Sequence, residues 1–176
     1  MVPRRPLSFD PIDEAARNWR AAGWEAAAPG MAFVTSIMRA QQIFLSRVDA
    51  TLAPFGLTFA RFEVLMLLEF SRTGQMPLSR IGARLQVHPA SVTNAIDRLQ
   101  EAGLVERVPH PTDGRTTLAA ITRAGRRVVR KAAAALNEHV FADVGLPGED
   151  SDAVVDVLAE LRHRAGDFHD APVHEA

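Results

Sequence analysis

Residues 89–98 read PASVTNAIDR and gather hydroxyl, amide and guanidinium groups in one short stretch. Val92, Ile96 and Leu99 recur at three- and four-residue spacing, with Ala95 at the edge of that stripe, which places them on the buried side of a helix. Pro89, Ala90, Ser91, Thr93, Asn94, Asp97 and Arg98 then face outward. Near its N-terminal end this surface is short-chained. Such a helix can sit deep in a DNA major groove, where Ser, Thr and Asn bond base edges or phosphates. An ordinary solvent-facing helix would have the same polar face, so a second group of residues decides. Asp113 and Arg115 stand two apart in the stretch PHPTDGR at 109–115. An Arg on a stiff projection suits the negative potential of a narrow minor groove. Asp113 can hold its guanidinium by a charge-assisted bond, although a plain surface ion pair would be worth little.

These groups need a scaffold, and residues 78–121 spell one. A helix over 78–85 puts Ile81 and Leu85 inside and Arg80 and Arg84 outside. Gln86, Val87 and His88 form a turn, and Pro89 suits the first position of the next helix, where its missing N–H costs nothing. Gly103 stops that helix. Strands over 104–108 and 115–121 flank a tip whose Pro, Asp and Gly stiffen and shape a turn, and residues 76–78 can add a third short strand. His88 and His110 fall within the reader, placed to touch phosphate or water. The pattern is a winged helix-turn-helix.

Three pieces carry a family resemblance: Leu99-x-x-x-Gly103-Leu104-Val105-x-Arg107, Asp113-x-Arg115 and Ile121-Thr122-x-x-Gly125. In this order and spacing they resemble the MarR family of bacterial transcription regulators, over roughly residues 32–164. The resemblance implies an Asp-x-Arg wing tip and a Thr that starts the helix after the second wing strand. It also implies a two-fold dimer built from the first and last helices, and a small-molecule pocket where those helices meet the reader. Ligand there would lower DNA affinity by shifting the population of two arrangements. Gly114-Arg115-Thr116 departs from the pattern, because many relatives have a second Arg near the tip. Trp19, Phe62, Glu63, Arg107 and Arg39 lie on the elements that would line the pocket. The helix holding Trp19 is similar to that of the urate-responsive branch, in which a Trp, an acid and an Arg match Trp19, Glu63 and Arg107. Ala95 stands where that branch has a further Arg, and Glu63 replaces an Asp, so an anionic ligand loses a partner here. Arg107 has a second reading as a structural residue bonded to the wing backbone or to nearby Asp and Glu.

The fold class expected is mainly α with a small β-wing. The 176 residues divide into a disordered N-terminus (1–8), N-terminal dimerisation helices (9–56), the winged helix-turn-helix (57–121), C-terminal dimerisation helices (122–168) and a tail (169–176). In the first of these, a helix from Asp10-Pro11 to about Trp24 is followed by a break at 27–30 and a long helix over 31–52. Phe33, Ile37, Phe44, Val48 and Leu52 stripe the long helix, and Val34, Met38 and Leu45 widen the stripe enough for contact on two sides. Trp19 and Trp24 need burial against the body or a partner subunit. Thr58 is placed to cap a helix over 59–71, and Thr122 one over 123–143. Val154, Val157, Leu158 and Leu161 share a face of the last helix.

Net charge is −1, which alone would argue against a polyanionic partner. Its distribution argues otherwise: residues 1–75 carry +1, residues 76–131 carry +6 and residues 132–176 carry −8. The positive block coincides with the proposed reader. There is no cysteine, which excludes disulfides and thiol chemistry. No apolar run reaches the ~20 residues needed to cross a membrane, and no signal peptide is evident, so a cytoplasmic location is expected. His163, His169 and His174 lie near Asp167, Asp170 and Glu175 but match no metal-ligand spacing. No nucleophile–base set, phosphate loop or HExxH motif supports an enzyme, and neither cofactor nor metal is expected. The expected function is a homodimeric, sequence-specific DNA-binding repressor of a pseudo-palindromic operator, with double-stranded DNA and a small effector as its expected partners. The rival is a winged helix used for protein–protein contact.

Overall fold

The computed structural model describes residues 7–113 and 116–169. The expected disorder at 1–6, the wing-tip residues Gly114 and Arg115, and the tail from 170 onward lie outside the described residues. Helix α1 (Pro11–Ala21) starts as expected, with Pro11 in its first turn and Asp10 Oδ1 accepting from Ile12 N–H at 2.8 Å. It ends three residues before Trp24, and a single 3₁₀ turn (Glu25–Ala27) leads directly into α2 (Ala28–Leu52). The break expected at 27–30 is absent, because Pro29 occupies the first turn of α2, where a helix tolerates it.

Helix α3 (Phe59–Phe70) is followed by strand β1 (Gln75–Pro77), α4 (Leu78–Leu85), α5 (Pro89–Glu101), β2 (Val105–Pro109) and β3 (Thr117–Ile121). The sheet has the order β1-β3-β2 and is antiparallel throughout. Thr58 precedes α3 in extended geometry but gives it no side-chain cap. Asp49 of α2 supplies the acceptor instead, taking the Phe59 N–H at 3.3 Å. One core joins α2 through Val48 and Leu52, α3 through Phe62, Leu65 and Leu68, the reader through Ile81, Ile96 and Leu99, and the helix that follows β3, α6 (Arg123–Leu136), through Val129 and Leu136.

Helix α6 (Arg123–Leu136) passes into a wider π-helical turn (Asn137–Phe141) rather than running on regularly to 143. Arg47 of α2 binds the carbonyls of His139 and Asp143 at 3.3 and 2.8 Å, satisfying acceptors that a helix end leaves open. Helix α7 (Gly148–Arg164) has no buried residue. Among the described residues, no single helix is long and apolar enough to cross a membrane.

The start of α6 explains the spacing Thr122-x-x-Gly125. Thr122 Oγ1 accepts from Gly125 N–H at 3.0 Å and donates to the Gly103 carbonyl at 2.9 Å. Gly103 itself takes φ +70°, a left-handed value that a glycine reaches without strain. A Cβ on Gly125 would lie 2.2 Å from the Leu104 carbonyl oxygen and 2.8 Å from Ile121 Cγ1. Helix α6 is therefore drawn onto the β2 backbone as closely as a missing side chain permits.

Further along, Glu69 ties α3 to α6. Its Oε2 lies 2.7 Å from Arg126 Nη1 and its Oε1 lies 2.6 Å from Arg130 Nε. Burial pushes the Glu69 carboxyl up, but hydrogen bonds and charge from Arg130 and Arg126 outweigh burial and hold it below the ordinary carboxylate value.

Two outcomes are expected. Gly125→Ala should lose about 1–3 kcal/mol in chemical denaturation, the usual cost of overpacking a tight site; wild-type stability in this variant would show that α6 can back away. Glu69→Gln should be less stable than wild type at neutral pH. A lowered folded pKa contributes stability above the unfolded value of about 4.3 and loses it as the pH falls through the folded value. The gap between the two proteins should therefore close below about pH 4, and a pH-independent gap would exclude the ion pair as its source.

Candidate nucleic-acid interface

Pro89 opens α5, and His88 Nδ1 accepts from the Ala90 N–H at 3.2 Å just ahead of it. His88 thus serves as a helix cap, a role that its position in the sequence did not suggest. Val92, Ala95, Ile96 and Leu99 are buried, and Pro89, Ala90, Ser91, Thr93, Asn94 and Arg98 are all exposed. Thr93 Oγ1 donates to the Pro89 carbonyl at 3.1 Å, which fixes its rotamer and leaves its methyl group and oxygen lone pairs outward. Arg98 pairs with Glu101 at 2.9 Å, with both side chains more than 60% exposed. In that setting the pair is weak and can be exchanged. The turn before α5 is tight: Gln86 has φ +53°, the only non-glycine positive φ among the described residues. Its side-chain amide donates to the Asp167 carbonyl beyond α7.

The hairpin of β2 and β3 projects next to α5. Its register pairs Val105 with Ile121 and Pro109 with Thr117. Beyond the strands, His110 N–H donates to the Thr116 carbonyl at 3.1 Å, and Thr116 Oγ1 donates to Asp113 Oδ2 at 2.7 Å. Asp113 therefore braces the tip from within. Its expected grip on Arg115 lies outside the described residues.

An open cleft runs along the exposed side of α5, between Ser91, Asn94 and Arg98 and the first turn of α3 with Thr58 and Arg61. Arg61 Nε donates to Thr58 Oγ1 at 3.2 Å, which turns the guanidinium along the cleft rim. Sequence reading missed Arg61. Its only signal was a cation in the first turn of a helix, where a positive charge opposes the helix dipole and so calls for another reason to be there.

A family model described as "MarR family" matches residues 55–116. The crystal structure of Sco5413, a MarR family transcriptional regulator from Streptomyces coelicolor, has a TM-score of 0.74 and 51% identity, covering 81% of this chain and 99% of that one. The chain belongs to the MarR family. YhbI, an uncharacterized HTH-type transcriptional regulator of Bacillus subtilis, is 31% identical over 86 residues, which is 49% of this chain and 54% of YhbI. The chain spans about half the length of the first curated relatives it matches. Sco3205 from Streptomyces coelicolor, solved in complex with DNA, shares the fold at a TM-score of 0.64 and 19% identity, over 90% of each chain.

Within this MarR-family fold the expected ligand contacts occupy separate surroundings. Trp19 on α1 is half-buried and meets Trp24 edge-on at 5.3 Å, while Trp24 itself stays 56% exposed. Phe62 is buried in the core and stacks on Phe59 at 6.4 Å. Glu63 is half-buried on α3, and burial pushes its carboxyl up. Arg107 on β2 turns to α5, with Nη2 at 2.6 Å from Asp97 Oδ1 and Nη1 at 2.9 Å from Gln100 Oε1. Arg39 is exposed and donates to Gln42 Oε1 at 3.2 Å. His163 meets Phe168 with the rings tilted at 55° and 5.6 Å apart, and among the described residues no group of three or more acids and histidines is gathered as a metal would need.

Proposed function

We propose that this protein is a homodimeric, sequence-specific DNA-binding transcription regulator that represses from a pseudo-palindromic site and releases it on binding a small aromatic or anionic ligand. The observation that carries the reading is the exposed, short-chained face of α5, set beside a projecting hairpin within the segment whose charge is +6. Ser91, Thr93, Asn94 and Arg98 would read or clamp the major groove, with Pro89 and Ala90 leaving room for close approach. Arg61 would take a phosphate on the rim, and Arg115, steadied by Asp113, would enter the minor groove. The relative Sco3205, solved with DNA, supports this use of the fold.

Dimerisation is supported by apolar surface that a single chain leaves bare. Phe33, Val34, Met38 and Phe44 on α2 and Val154, Val157 and Leu161 on α7 are all exposed. Between these helices lies an apolar groove that includes Phe33, Ile37, Phe44, Val154 and Val157. A contiguous patch of this kind marks a protein interface. A two-fold pair would set two α5 helices about 34 Å apart, one turn of DNA. Of the candidate effector contacts, Phe62 packs in the core and Arg107 is engaged by Asp97 and Gln100, so the half-buried Trp19 and Glu63 are the two proposed to meet an effector.

Selection of genomic fragments at two salt concentrations should enrich an inverted repeat with half-sites one turn apart. Absence of binding at either salt would favour a protein-interaction role instead. Asn94→Ala should relax preference at one base position, whereas Arg61→Ala should weaken all sequences alike and lower the salt slope by about one. The wild type should sediment at twice its 19.2 kDa chain mass, and Val157→Glu should sediment at the single-chain mass with much weaker DNA binding. A wild-type monomer would refute the dimer.

A further inference from the structure

Arg107 sits in the middle of β2, opposite Ala119 of β3, halfway up the paired part of the hairpin. Its guanidinium forks onto two side chains of α5, Asp97 at 2.6 Å and Gln100 at 2.9 Å. Asp97 and Gln100 are one helical turn apart, and Asp97 lies one turn after Asn94, next to Arg98, on the outward side of α5. The pair is less exposed than the neighbouring Arg98–Glu101 bridge, at 28% for Arg107 and 50% for Asp97. A forked, partly desolvated contact of this kind fixes an angle as well as adding attraction.

The geometry points to Arg107 as a positioning residue that sets the angle of the wing against the recognition helix and masks the Asp97 carboxylate from DNA phosphates. The inference rests on the DNA-binding reading above. Leverage supports it. Only Val108 and Pro109 continue the strand past Arg107, and His110 N–H pairs with the Thr116 carbonyl just beyond them, so at ~3.3 Å per residue the turn begins roughly 10 Å beyond the clamp. A rotation of roughly 15° about the clamp would move that turn by roughly 3 Å, enough to change how a side chain on it meets a groove about 6 Å wide. The sheet does not hold this angle alone, because β2 is an edge strand paired only with β3 among the described residues. Electrostatics adds a second reason. Asp97 is an anion on the face turned to a polyanion, and Arg107 supplies the compensating charge from outside the helix, leaving the outer positions of α5 free for bases.

The absence of cysteine makes a direct test simple. Spin labels at Thr112→Cys on the wing and Ser79→Cys on α4, diluted with unlabelled chain, report the wing angle as a distance distribution in the full-length protein without DNA. A single narrow distribution is expected for the otherwise unchanged protein. Arg107→Met and Asp97→Ala should each broaden it, and the double variant should be no broader than either. Arg107→Lys, which keeps the charge but cannot fork, should also broaden it. On a selected operator, Arg107→Met should bind roughly tenfold more weakly, the worth of one charge-assisted contact. Its hydroxyl-radical footprint should lose wing protection and keep that of α5. Should Arg107→Met fail to fold, the surface variants Asp97→Ala and Gln100→Ala carry the same comparison. An unchanged distribution, or additive broadening in the double variant, overturns the proposal whatever the DNA result. Broadening in a protein whose wild type binds no duplex overturns the DNA-binding reading, and the positioning role falls with it.

Discussion

Four segments meet at Thr122, and the placement of the reader depends on that junction. The hydroxyl takes the Gly125 N–H of α6 and gives its proton toward the Gly103 and Leu104 carbonyls, while the Thr122 N–H bonds the Leu104 carbonyl at 3.0 Å. The end of α5, the start of β2, the end of β3 and the start of α6 are thereby held at one point. Buried backbone groups must find partners, and here a single threonine satisfies several where four chain directions change. Gly125 is the steric half of the same arrangement, because only a residue without Cβ lets α6 approach the Leu104 carbonyl so closely. With the junction fixed, the exit of α5 and the root of the hairpin cannot move independently.

Charge is sorted on the same frame. The outward side of α5 carries two acids, Asp97 and Glu101, on a face otherwise suited to a polyanion. Each has an arginine partner, Arg107 and Arg98 respectively. The two pairs differ in kind. Arg98 and Glu101 are both largely exposed, so water screens them and a phosphate can compete for the guanidinium at little cost. Arg107 is mostly covered and forked, so it behaves as part of the scaffold. Glu69 is a third case: its two arginines lie on α6, and they join α3 to the segment that leads on to α7.

Much of this was legible in the sequence. The spans of α4 and α5 and their buried stripe follow from apolar spacing, and Thr122 as a cap follows from its place after a strand. What stayed hidden has physical reasons. Asp49 caps α3 from ten residues away, and local sequence favours the adjacent Thr58 because capping is ordinarily local. The break expected near Pro29 did not form, because proline is compatible with a first turn and nothing nearby shows whether the turn begins before or after it. The π-helical turn at Asn137–Phe141 has no signature in spacing, since it lies at the end of the helix, where too few apolar residues follow it to show a shifted stripe. Arg61 and the pairing of Arg107 with Asp97 are tertiary facts that only the meeting of separate elements creates.

The long stripe on α2 divides into two halves with different neighbours. Toward its C-terminal end Val48 and Leu52 are buried in the core shared with the reader. Toward its N-terminal end Phe33, Val34 and Met38 remain exposed, facing the same solvent as the apolar side of α7. One helix of 25 residues, about 37 Å long at 1.5 Å per residue, therefore belongs to both parts of the molecule. A packed core is close to incompressible and transmits strain, so a helix anchored in it at one end acts as a rigid arm. Whatever covers its outer half fixes where the inner half, and the reader packed on it, must lie. In the dimer proposed above, the spacing of the two readers would therefore be a property of the surface between α2 and α7 rather than of the readers themselves.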